Sequence, residues 1–372
     1  MKSRSIWLFA GIFLLICTVL TAAQQRKPAG SDDIDALIKA AVQGDATALA
    51  TIGTIFLQGG AAQEDYAEAA KWVSVPAKQG DAIAQLFLGW MYLHGNGVPQ
   101  DYAEAVKLLR NPAGKGIVLA QYFLGDMYCR GIGVPQDYAE AAKWLRLPAE
   151  KGNAVAQFYM GFMYFHGKGV PQDRVEAGKW FRKSAEQGNA MARANLGAMY
   201  LQGDGVPRDY AEAAKWSRAA ADQGSAIAQA NLGAMYLQGH GVPQDYAEAA
   251  NWLRKAALQG DATSQLTLGK MYSRGVGVPE DSAEAAKWFN IAAEQGSISA
   301  QCMLGAVLVE GRGVKQNYVE AHMWLNLCAS AAKGEERQTA AKIRDEITKQ
   351  MKPQQIQEAE KLAKEWKPKH AQ

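Results

Sequence analysis

A single 36-residue unit, written eight times without an insertion or deletion, constrains this chain more than any other feature. The segment Asp65-Tyr66-Ala67-Glu68-Ala69 returns at Asp101, Asp137, Asp209 and Asp245, with weaker copies from Asp173, Asp281 and Asn317. Glycines at 44, 80, 116, 152, 188, 224, 260 and 296 keep the same step. Self-similarity at a fixed period marks architectures in which each unit buries its apolar face only against its neighbours. The 372 residues therefore do not divide into two or three globular domains, as length alone would suggest.

The unit spanning 224–259 reads as a helical hairpin. Ile227, Ala230, Leu232, Met235 and Tyr236 recur at helical spacing. Gly239-His240-Gly241-Val242-Pro243 then breaks the chain, because glycine admits positive φ and proline cannot continue a hydrogen-bond ladder. Asp245 is placed to cap the second helix, with Glu248 three residues on in a capping-box-like pattern, and Gly260 ends that helix. A glycine inside each first helix, such as Gly233, is expected to let the small Ala249 and Ala250 of the second helix approach closely. Trp72, Trp144, Trp180, Trp216, Trp252, Trp288 and Trp324 hold one position of the second helix, where the second copy has Leu108. With the Met-Tyr pairs such as Met199-Tyr200, they read as inter-repeat core rather than a cofactor box, because they recur at the structural period.

The string Gly-x-Gly-Val-Pro-x-Asp-Tyr-x-Glu-Ala-x-x-Trp, followed by Ala-x-x-Gly, resembles the Sel-one-like repeat (SLR), a relative of the tetratricopeptide repeat. The resemblance implies an all-α fold, a right-handed α/α superhelical solenoid of about eight 36-residue helix-turn-helix repeats with helical caps. It also implies a scaffold for protein–protein contacts, exported in many bacterial members, with first helices along the concave wall. The expected organisation is a signal peptide at 1–23, a linker and N-terminal capping helix at 24–43, repeats at 44–331, and C-terminal capping helices with a tail at 332–372. His322 to Trp366 resembles the C-terminal cap of bacterial members, with charged helices over 335–351 and 354–366, the second started by Pro353.

Export is also read from the residues. Lys2 and Arg4 precede an apolar stretch from Ile6 to Leu20, and Thr21-Ala22-Ala23 offers small residues for cleavage. That points to a periplasmic or secreted protein with no membrane span after cleavage. Forty Lys+Arg against 37 Asp+Glu leave a net charge of +3, too even for a nucleic-acid binder. Past the signal only Cys129, Cys302 and Cys328 remain, which is no disulfide framework. Buried thiols are the expectation, with one Cys302–Cys328 bridge as the alternative because both fall on one hairpin.

Where the core repeats, function is sought at positions that vary. Three such positions of the first helix lie at i, i+3 and i+7, on one face. They are Phe87, Trp90 and His94 in the second copy, Phe123, Asp126 and Arg130 in the third, and Tyr159, Phe162 and His166 in the fourth. The fifth and sixth copies carry Asn195 and Asn231, each with a following Ala and Gln. The expected ligand-binding groove is thus aromatic at first and amide-rich later, suited to a protein or peptide ligand. The alternative is that the rings pack between copies, and their burial distinguishes the two. Pro76, Pro112 and Pro148, in the last turn of three second helices, should each end or kink its helix early.

Reactive groups are sparse. No histidine pair or Cys/His set has metal-ligand spacing, and neither metal nor cofactor is expected. Ser330-Ala331-Ala332-Lys333 fits the Ser-x-x-Lys motif of serine β-lactamases, but the Ser-Asp-Asn and Lys-Thr-Gly partners are missing. A cysteine-rich branch of the SLR family is associated with penicillin binding and carries a Cys pair in each repeat, which this chain lacks. The reading is a non-enzymatic scaffold, against a cell-envelope hydrolase or a passive structural spacer.

Overall fold

The computed structural model describes residues 63–369. The export segment, the 24–43 linker and cap, the first helix of the first copy, and His370 lie outside the described residues. Among the described residues there are 17 helices and no strand. Two compact units meet at Asp173 and Arg174 in the sequence. The first holds α1 (Gln63–Lys78), α2 (Ala82–His94), α3 (Tyr102–Gly114), α4 (Val118–Arg130), α5 (Tyr138–Glu150) and α6 (Ala154–His166). The second holds α7 (Arg174–Glu186), α8 (Ala190–Gln202), α9 (Tyr210–Ala221), α10 (Ala226–Gln238), α11 (Tyr246–Leu258), α12 (Ala262–Arg274), α13 (Ser282–Glu294), α14 (Ile298–Glu310) and α15 (Tyr318–Ala331). It ends in the capping helices α16 (Gly334–Thr348) and α17 (Pro353–Glu365). Within each unit helices pack on their sequence neighbours, the arrangement of an all-α repeat solenoid.

The hairpin is closed by backbone chemistry that the repeat motif encodes. Gly239, at φ 71°, ends α10 in the left-handed region and donates its N–H to Met235 O. The Asp245 carboxylate then accepts the N–H groups of Ala247 and Glu248 at 2.9 and 3.0 Å. The reciprocal half of the capping box is not made. Asp245 N–H instead donates to Tyr236 O at 3.0 Å, which ties the start of the second helix to the end of the first. The Glu248 carboxylate is thereby free to accept the Trp252 indole N–H at 3.1 Å.

Two expectations about packing need correction. The mid-helix glycines do not face small alanines alone. A Cβ on Gly233 would lie 2.7 Å from Leu253 Cγ, and one on Gly269 would lie 2.6 Å from the Phe289 ring. The missing Cβ makes room for a large side chain of the second helix, which is how the hairpin builds its core from a narrow helix pair. Nor do the prolines end their helices early: α3 and α5 run 13 residues, as do α11 and α13, which lack proline. Each closing bond uses the proline's carbonyl rather than its absent N–H, Ile117 to Pro112 O and Asn153 to Pro148 O at 3.0 Å. Ser225 N–H makes the same bond to Ala220 O at 3.1 Å. The ring is therefore accommodated, and Pro112 and Pro148 are buried.

The tryptophans pack largely as expected, with Trp144 and Leu108 only half-buried and the Trp72 side chain outside the described residues. Trp180, Trp216, Trp252, Trp288 and Trp324 are all buried, as are Met91, Met127, Met163, Met199, Met235 and Met271. A first-helix glutamine adds a polar tie between copies. Gln157, Gln229 and Gln265 are buried and donate to the carbonyls of Ala149, Ala221 and Ala257 at 3.0, 3.1 and 2.9 Å. Each carbonyl also accepts the N–H of the glycine that follows the helix, so the glutamine takes up its second lone pair.

At the C-terminal end α15 carries both α16 and α17. Trp366 meets Trp324 edge-on at 5.8 Å between centroids, and Lys369 N–H donates to Glu294 O at 2.8 Å. Cys302 and Cys328 are joined in a disulfide between α14 and α15, with Cα atoms 5.3 Å apart, which corrects the expectation of free thiols. Cys129 remains a buried thiol. No described helix is long and apolar enough to cross a membrane.

The second glycine of each loop sets how close consecutive copies come. A Cβ on Gly241, at φ 70°, would lie 1.9 Å from Tyr210 O of the preceding copy's second helix. Gly224, at φ 91°, has nothing within 4 Å. Gly241→Ala is expected to destabilise the second unit by at least about 2 kcal/mol more than Gly224→Ala, read from urea unfolding of the two variants. Equal losses would show that the interlocking contact is unimportant. Reducing the Cys302–Cys328 bridge, which closes a 26-residue separation, is expected to remove roughly 3 kcal/mol. The loss should appear as faster hydrogen exchange in α14 to α17, with the other repeats unchanged.

Candidate functional site

The three variable positions of each first helix do not share one environment. Phe87 and Trp90 are 8% and 7% exposed, so they are packing residues rather than the groove contacts expected of them. Tyr66 of the preceding copy, at the start of its second-helix motif, places its ring 6.0 Å from Trp90. The same 24-residue relation sets Tyr138 6.1 Å from Phe162, but there the ring remains half-exposed. Phe123, Asp126 and Tyr159 are also half-buried, while His94, Arg130 and His166 are exposed.

Within the first unit these side chains connect into one strip across α2, α4 and α6. His94 stacks on Trp90 at 4.8 Å and meets the edge of Phe123 at 6.4 Å. Its Nδ1 lies 2.9 Å from Trp90 O, which makes that nitrogen the donor and leaves Nε2 as the outer one. Three residues beyond Phe123, Asp126 takes an ion pair from Arg130 at 3.2 Å and the phenol O–H of Tyr159 at 2.8 Å. Phe162 then lies 4.5 Å from the His166 ring.

Lys168 closes the strip, and sequence reasoning did not select it. Its Nζ sits 5.1 Å from the Tyr138 centroid and 5.4 Å from that of Phe162. The signal was present: the residue between the two loop glycines is Asn96, Ile132, Lys168, Asp204, His240, Val276 and Arg312 in successive copies. That residue reaches the start of the preceding copy's second helix. Asp204 accepts both contacts from Arg174 at 2.7 Å, and His240 stacks on Tyr210 at 4.4 Å. In the second unit the predicted amide positions are less available. Asn195 and Asn231 are half-buried, and the Asn195 amide donates to Met191 O of its own helix at 2.8 Å.

Electrostatics within the strip centre on Asp126. Burial, then the hydrogen bond to Asp126, raise the Tyr159 phenol well above its ordinary range. Burial, reinforced by Asp126, pushes the Cys129 thiol up to about 12, so it stays protonated and unreactive at neutral pH. Elsewhere His322 is buried, and burial together with the Arg344 charge lowers its pKa, favouring the neutral ring. The Ser330 hydroxyl donates to Leu327 O at 2.7 Å. No group of three or more potential metal ligands occurs among the described residues.

Comparison with known proteins identifies the repeat. The pattern described as Sel1 repeat matches residues 82–111, 118–153, 154–189, 190–225, 226–261, 262–297 and 298–332. The chain belongs to the Sel1 repeat family. Members are typically non-catalytic scaffolds that commonly mediate protein–protein interaction. A Sel1 repeat protein from Oxalobacter formigenes shares 33% identity over 83% of this chain and 90% of its own, with a TM-score of 0.58. A protective antigen present in uropathogenic Escherichia coli strains, displaying an SLR fold, shares 30% identity over 91% of this chain and 95% of its own, with a TM-score of 0.51. Among curated protein sequences there is no match.

Replacing Asp126 by Ala removes both the acceptor and the negative charge beside Tyr159. The Tyr159 pKa is expected to fall toward the ordinary phenol value while staying above it, because burial persists. Ultraviolet titration of the variant against wild type checks this. An unchanged titration would mean that burial alone sets the phenol.

Proposed function

We propose that this Sel1 repeat protein is a non-enzymatic scaffold of the bacterial cell envelope that binds a protein or peptide segment along its first-helix face. The carrying observation is the continuous strip from His94 to Lys168 in the first unit, where half-exposed rings alternate with charged and imidazole groups. Aromatic side chains give large contact area at low entropy cost, and the neighbouring polar groups fix orientation. If first helices line the concave wall, as the family resemblance implies, a ligand laid there would touch Phe123, Tyr159 and Phe162 in turn. Buried Trp90 supports the strip through its contact with the His94 ring.

Export from the cytoplasm is supported by the signal-like start of the sequence and by the Cys302–Cys328 disulfide, since such bonds persist in oxidising compartments. The relative from uropathogenic Escherichia coli, described as a protective antigen, fits a role at the bacterial surface.

The test is capture from an envelope extract with wild type and with the Phe123→Ala/Phe162→Ala variant, both checked for helix content. A protein retained by wild type and reduced at least about tenfold in the variant is expected, since each ring contributes roughly 1 kcal/mol or more at an interface. Equal retention would remove the strip as the site. Nitrocefin turnover by the purified protein would replace the scaffold reading with the hydrolase reading.

A further inference from the structure

The last copy departs from the others at one buried position. His322 of α15 stands in register with Ala142, Gly178, Ala214, Ala250 and Ala286 of earlier second helices. α15 is also the helix on which the two capping helices pack in place of a further repeat. The His322 side chain is 4% exposed, and its Nδ1 has no hydrogen-bond partner among the described residues. An imidazole thus replaces a small residue where the stack meets its cap.

α15 packs on α14, α16 and α17. The Arg344 guanidinium and Asp345 carboxylate act on the ring from α16, and the Glu360 carboxylate acts from α17. α14 carries one charged residue, Glu310, which is paired with Arg312, and the other charged residue of α15, Glu320, is exposed. Arg344 donates to Asp345 at 2.8 Å and to Asn326 of α15 at 3.0 Å. The two carboxylates favour a charged ring, but burial and Arg344 oppose it and prevail. A protonated ring makes both nitrogens donors, and the buried Nδ1 then lacks an acceptor. Ionisation therefore favours arrangements in which water reaches the ring. The hold of the cap on α15 is complete above the ordinary histidine range and weakens as pH falls through and below it.

The Cys302–Cys328 disulfide holds α15 to α14, whereas neither α16 nor α17 contains a cysteine. The core beneath the cap joins Met323, Trp324 and Leu325 of α15 to Ile347 of α16 and Ala359 of α17, with Trp366 against Trp324. We propose that the C-terminal cap is a pH-sensitive lid: protonation of His322 loosens α16 and α17 while the disulfide keeps α15 on α14, which uncovers the apolar face around Trp324. This device is separate from the first-helix strip and does not depend on that strip binding a ligand.

The test is amide hydrogen exchange of the oxidised full chain at about pH 7.5 and about pH 5.5, a window above the ordinary carboxylate range. Protection factors, corrected for the intrinsic effect of pH, are expected to fall at least about threefold in α16 and α17 at the lower pH, with α11 to α13 unchanged. His322→Leu cannot ionise there and is expected to give equal protection at both values. If that variant does not fold, ring-proton NMR of wild type decides instead: His322 is expected to titrate below the ordinary histidine value, in step with the loss of cap protection. Equal cap protection at both pH values, an equal fall in α11 to α13, an undiminished response in folded His322→Leu, or an ordinary titration of the His322 ring would overturn the proposal.

Discussion

The stack depends on a backbone-to-backbone contact that only glycine permits. The second glycine of each loop presses on the first turn of the preceding copy's second helix, Gly97 on Tyr66 and Gly169 on Tyr138 in the first unit, Gly241 on Tyr210 and Gly313 on Ser282 in the second. In all of these a side chain would overlap main-chain atoms at 2.2 Å or less. No rotamer change relieves such an overlap. The described copies keep one spacing because nothing larger than hydrogen fits between them at this point.

Side chains tighten what the glycines position. Buried glutamines donate to helix-end carbonyls of the preceding copy, and arginines of the second helices donate to tyrosines of the next copy, as Arg110 does to Tyr128 and Arg146 to Tyr164. These ties are polar and directional, so they resist sliding between copies in a way that apolar contact alone does not. Tryptophan, methionine, leucine and the many alanines of the core supply the area removed from water, the larger share of the stabilising free energy. Each unit of the molecule is thus a sum of similar interfaces, and changes in one copy are felt mainly by its neighbours.

Within that frame, variation has two distinct outcomes. Two variable rings meet the tyrosine of the preceding copy, and of these Trp90 is absorbed into packing while Phe162 stays half-exposed. Where the seam is already filled or the side chain is longer or polar, it remains at the surface, as with His94, Arg130 and His166.

The period, the hairpin, the capping aspartates, the core tryptophans and the C-terminal helices were all legible in the linear chain, because each rests on contacts within a few residues or on repetition itself. Tertiary structure decided the rest. That Trp90 is buried while Phe162 stays half-exposed, that Cys302 meets Cys328, and that Lys168 lies near the Tyr138 ring are all set by neighbours distant in the sequence. A repeat shows the sequence which positions are free to change, but only the packed neighbour shows which of them water can reach.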